Sequence, residues 1–99
     1  MTSGDDRLDS WRATERDLRA ALAASKMDGD AAMQIEEYLD HNELGLAFEE
    51  LVLELDQRET IVPAEALPPL SSAIDRMGQS SFSPETVPTW ERVRGTSRD

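Results

Sequence analysis

Glu43-Leu44-Gly45-Leu46-Ala47-Phe48-Glu49-Glu50-Leu51-Val52-Leu53-Glu54-Leu55-Asp56-Gln57 is the stretch on which the fold turns. Leu44, Ala47, Phe48, Leu51, Val52 and Leu55 recur at spacings of three and four, so on a helix of about 3.6 residues per turn they share one face. The stretch predicts a helix opened by Glu43, with those six side chains in the core.

Upstream, Asp40-His41-Asn42 favours a turn. It ends a helix expected to start near Asp30, whose buried stripe is Ala31, Ile35, Tyr38 and Leu39. So short a link makes the two helices an antiparallel hairpin. Ser25-Lys26-Met27-Asp28-Gly29-Asp30 separates this hairpin from an earlier helix over 7–25. In that helix Leu8, Trp11, Leu18 and Leu22 fall on one face, and Asp5 and Asp6 offer caps.

Downstream, Ile61 and Val62 precede Pro63, and Pro68-Pro69 follows. Proline suits the first helical turn, which places the start of another helix near Pro68 or Pro69, after a single turn at 63–67. Leu67, Leu70, Ile74 and Met77 form its core face and Gly78 its end. Residues 79–99 carry Pro84, Pro88, Gly95 and several Ser and Thr, and read as an irregular tail. Trp90 and Val93, with Phe82, anchor that tail, and its last few residues are expected to be disordered. The expected fold is all-α: a small bundle of about four helices with its core over about 7–78 and the tail at 79–99.

The chain of 99 residues has room for a single domain, and its 38% hydrophobic content supports one modest core. Absence of cysteine excludes disulfides, thiolate metal sites and nucleophilic thiols, and fits a reducing compartment. Met1 to Asp6 lacks the basic and apolar regions of a signal peptide, and no stretch approaches the roughly 18 apolar residues that span a bilayer. A cytoplasmic protein with no membrane partner is expected. Net charge is −11, from 21 acids against 10 bases and one histidine. That balance argues against nucleic acid as a direct partner, because phosphate contacts need clustered Lys and Arg. A basic protein is the natural partner, and solubility is the competing reason for the acidity.

The residues offer little for catalysis. His41, between Asp40 and Glu43, is the only imidazole, whereas a zinc site needs several nitrogen or sulfur ligands. It reads as a solvated helix-end histidine. The adjacent acids Glu36-Glu37 and Glu49-Glu50 diverge by roughly 100° on a helix, so neither pair converges on one substrate atom. Phosphate-loop, dinucleotide, H-E-x-x-H and G-x-S-x-G patterns are all missing. No enzyme activity, cofactor or metal is expected.

The placement of the acids is more informative. Between Asp28 and Glu59 the only base is Arg58, so the second and third helices form an acidic hairpin carrying Glu36, Glu37, Asp40, Glu43, Glu49, Glu50 and Glu54. On the third helix Glu43, Glu50 and Glu54 flank the core stripe on one side, and Glu49 and Asp56 on the other. Leu46 and Leu53, seven residues apart, project between those flanks, opposite the core. Either they are an apolar anchor for a partner, ringed by steering charges, or a neighbouring helix or the tail covers them.

Tyr38-Leu39-Asp40-His41-Asn42-Glu43-Leu44-Gly45-Leu46-Ala47-Phe48-Glu49-Glu50-Leu51 resembles the signature region of the MafI-like immunity proteins, small helical bacterial proteins that neutralise a toxin. Asn42-Glu43 stands where glycine–glutamate is typical, Gly45-Leu46-Ala47 matches the following step, and Ile61-Val62-Pro63 resembles the entry to the last helix. The resemblance covers about residues 30–78. It implies tight inhibition of one cognate toxin encoded alongside. Charge and resemblance together lead to an immunity protein that presents its acidic hairpin to the basic surface of a nuclease or other nucleic-acid-directed toxin. The alternative is an acidic adaptor that antagonises a basic protein such as a transcription or sigma factor.

Overall fold

The computed structural model describes residues 3–57, 63–78, 82 and 84–96, with the backbone alone for 3–8 and 96. Five α-helices are formed among them: α1 (Ser3–Ala24), α2 (Gly29–Asp40), α3 (Leu44–Gln57), α4 (Leu67–Met77) and α5 (Thr86–Thr96). A 3₁₀ turn at Ala64–Ala66 leads into α4, and no strand occurs among the described residues.

Helix α3 lies at the centre because its stripe is apolar along its whole length: Leu44, Ala47, Phe48, Leu51, Val52 and Leu55 are all buried. Helix α2 packs on it, burying Ile35 and Leu39 and half-burying Ala31 and Tyr38. The turn between them closes α2 by hydrogen bonds from the Asn42 N–H to the Leu39 carbonyl (3.1 Å) and from the Glu43 N–H to the Tyr38 carbonyl (2.8 Å). This closure satisfies carbonyls that a helix end leaves unpaired, and it requires a left-handed residue just past the cap. Asn42 supplies it at φ +61°, a conformation asparagine tolerates better than most residues with a side chain. His41 is exposed beside the turn, its Nδ1 2.8 Å from the Glu37 carbonyl oxygen, a contact that needs the proton on Nδ1.

Helix α1 packs mainly along α4, and Leu18, Ala21 and Leu22 from the first join Leu70, Ala73 and Ile74 from the second in one core. Buried Thr14 and Ser25 extend the α1 stripe, their hydroxyls donating to the Ser10 and Ala21 carbonyls at 2.9 and 2.7 Å. Pro68 and Pro69 sit in the first turn of α4, where no N–H is missed, and Gly78 ends it at φ +86°.

Several expectations need correction. Helix α1 starts at Ser3, so Asp5 and Asp6 lie within its first turn. Trp11 is 42% exposed. Its azimuth matches Leu18 and Leu22, but α1 is about 33 Å long against about 16 Å for α4 and outruns its partner toward its N-terminus. The larger correction concerns the tail. Thr86–Thr96 is a helix, and it packs on α3 with Trp90 and Val93 fully inside the core. Phe82 and Trp90 close over Phe48, with ring centroids 5.1 and 6.0 Å away. The Leu8 side chain, Arg58, Ile61, Val62 and the chain end at 97–99 lie outside the described residues.

Candidate partner-binding surface

Helix α5 lies along one flank of α3 and runs in the same direction. Thr86 donates from Oγ1 to Glu49 Oε2 at 3.1 Å, and two turns on Arg92 donates from Nε and Nη2 to the Asp56 carboxylate at 3.2 and 3.1 Å. On the opposite flank α2 presents Tyr38. The outward ridge of α3 between them is left open, and Leu46 and Leu53 on that ridge are 46% and 42% exposed.

A shallow cleft of about 370 Å³ runs over this ridge. Tyr38, Leu46 and Leu53 give it apolar surface, and Glu49 and Glu50 stand at its edge. The facing wall comes from Glu85, in the turn before α5, and from Thr86 and Thr89 of that helix. Among the described residues no basic side chain lines the cleft, and Arg92 reaches the Thr89 hydroxyl from behind at 3.3 Å. The ion pair between Arg92 and Asp56 balances the far end of that flank, and hydrogen bonding to Asp56 raises the guanidinium above the ordinary arginine value. Thr86 holds the Glu49 carboxylate through its hydroxyl, a donor that brings no charge of its own.

The other acids of the hairpin are placed differently. Glu43 is exposed at the start of α3, its carbonyl accepting the Ala47 N–H, and Glu54 is half-buried; neither lines the cleft. Glu36, Glu37 and Asp40 face outward from α2 as a second patch, together with Asp30. Asp40 there is partnered: Arg19 bridges it and Glu15, at 3.0 Å each, which ties α2 to α1. Hydrogen bonding to Asp40 raises the Arg19 guanidinium also. Arginine stays charged throughout the physiological range, so both pairs hold there.

Two contributions escaped the sequence reading. Glu85, Thr86 and Thr89 belong to the cleft only because α5 is a helix. Met33, 69% exposed among the acids of α2, occupies the same place on its helix as Leu46 and Leu53 on theirs, opposite the buried stripe. The same azimuth count finds it. Among the described residues no group of three or more His, Cys, Asp or Glu is arranged to hold a metal ion, and no helix is long and apolar enough to cross a membrane.

Comparison with protein-family models, with curated proteins and with solved structures finds no match to this chain.

Proposed function

We propose that the chain is an immunity protein, which binds and neutralises a cognate bacterial toxin through the outer face of its acidic hairpin. The observation that carries this reading is the pair of open leucines on α3, Leu46 and Leu53, with Glu49 and Glu50 at the edge of their cleft and no base among the described residues that line it. A face built only for solubility has no use for exposed leucines at that spacing. Apolar anchors within a rim of one sign of charge suit a protein partner of the opposite sign.

A nuclease or other nucleic-acid-directed toxin has such a surface, since it must hold a polyanion. An acidic inhibitor competes for that surface and is drawn to it by long-range attraction. The resemblance of residues 38–51 to the MafI-like signature supports the same assignment.

The test is to purify the chain from its native cell with whatever stays bound, identify that protein, and express it with and without the chain. A bound protein that kills cells when expressed alone, and is harmless when co-expressed, is the expected result. Recovery of a transcription or sigma factor instead would make the chain a regulatory adaptor and end the immunity reading.

A further inference from the structure

We infer that α5 is part of the binding surface, and that its cleft with α3 seats an apolar side chain from a basic segment of the partner protein. The inference rests on the chain being a protein-binding inhibitor, not on what the partner does when free.

The chemistry of the cleft selects this occupant over others. Tyr38, Leu46 and Leu53 form an apolar floor whose two leucines remain nearly half exposed, so burying them is a gain for whatever covers them. Glu50 on one side and Glu49 and Glu85 on the other stand around that floor, with no base among the described residues that line it. A second copy of a chain of net charge −11 would set acid against acid, and a nucleic acid would do the same. At about 370 Å³ the volume falls at the low end of the roughly 300–1,000 Å³ of small-molecule sites, and a floor this open lacks their enclosure. A polar cation alone would leave the leucines in water. Only an apolar side chain flanked by Arg or Lys meets both the floor and the rim.

Helix α5 does more than border the cleft. Thr86 holds the Glu49 carboxylate toward it, Thr89 lines it with its hydroxyl donating to the Glu85 carbonyl at 2.7 Å and accepting from Arg92 Nη2 at 3.3 Å, and Glu85, in the turn just before the helix, adds a charge opposite Glu50. Trp90 and Val93, buried on the inner face of α5, fix the position of that wall.

A direct experiment titrates the full chain, followed by NMR of its backbone amides, with a synthetic amphipathic helix of about four turns bearing a leucine stripe flanked by arginines. A second peptide keeps the arginines and carries serine in place of the leucines. Shifts centred on Leu46, Glu49, Leu53, Thr86 and Thr89 are expected with the first peptide, and binding weaker by about tenfold or more with the second. Glu85→Lys should weaken binding of the first peptide several-fold more than Glu36→Lys, which changes net charge equally but lies on the outer face of α2. Both sites are exposed, so both variants keep the helical circular dichroism of the parent. Shifts centred on Met33, equal binding of the two peptides, or equal effects of the two reversals would overturn the inference. The two readings fail separately: a toxin captured from the cell that protects neither Leu53 nor Thr89 ends this one alone, whereas a harmless partner seated in the cleft ends only the immunity reading.

Discussion

Lys26 and Gly45 each occupy a position better suited to the other. Lys26 adopts φ +54° at the end of α1, where a residue with a Cβ pays for crowding against its own carbonyl. Gly45 lies inside α3, where an added methyl group would find its nearest neighbour, Phe82 Cε1, at an ordinary 3.9 Å. Lys26→Gly and Gly45→Ala are therefore each expected to stabilise the protein by about 0.5–1 kcal/mol, read as a higher urea midpoint. A lower midpoint for Gly45→Ala would mean that Phe82 cannot give way. Phe48 is the opposite case: fully buried beneath Phe82 and Trp90, it should cost about 3–5 kcal/mol when replaced by alanine. Leu46→Asp should leave the midpoint within about 0.5 kcal/mol of the parent, as an exposed site does, while speeding dissociation of the partner. Loss of stability in that variant would return Leu46 to the core.

At the scale of elements, legibility followed how cleanly hydrophobicity marks the buried face. The stripe of α3 is wholly aliphatic or aromatic apart from one alanine, and all six positions were readable before any coordinates. The buried face of α5 is Thr86, Thr89, Trp90 and Val93, which has the same i, i+3, i+4, i+7 spacing. Half of that face is threonine, so the pattern vanishes if threonine counts as polar. The two hydroxyls can be buried because each donates a hydrogen bond, to Glu49 and to the Glu85 carbonyl. Pro88 misled as well. It falls in the first turn of α5, where proline costs nothing, and the rule that placed Pro68 and Pro69 applied equally there. The acid-flanked leucines were legible from helical azimuth, but the wall that turns them into a cleft was not, since it depends on α5 folding back along α3. These roles predict unequal mutational costs within one helix. Trp90→Ala should lower stability by about 3–5 kcal/mol, because it removes a buried indole beside Phe48. Arg92→Ala should shift the denaturation midpoint far less, since exposed ion pairs contribute little. Similar losses from both would mean that polar contacts, and not the indole, hold α5 in place.

For the molecule as a whole, net charge acts on folding and on binding with opposite signs. Among the described residues Arg19, Arg76, Arg92 and Arg94 are paired with Asp40, Asp17, Asp56 and Glu91, so on the hairpin these ion pairs offset only Asp40 and Asp56. The surplus of negative charge is concentrated on the hairpin of α2 and α3. Within the free chain those carboxylates repel one another, which weakens the compact state; toward a basic partner they attract, which speeds encounter. Raising salt from about 0.1 M to 1 M shortens the screening length from about 10 Å to 3 Å and should suppress both effects together. Thermal midpoint should rise with salt while the association rate with the captured partner falls. Among the described residues no ion pair holds Glu43, Glu50 or Glu54, so reversing all three to lysine should leave the helical signal intact. The triple variant should associate more slowly at low salt and show a weaker salt dependence in both measurements. If its midpoint loses salt dependence but its association rate matches the parent's at every salt concentration, the hairpin's acidity serves only the free protein, and the partner approaches from another side.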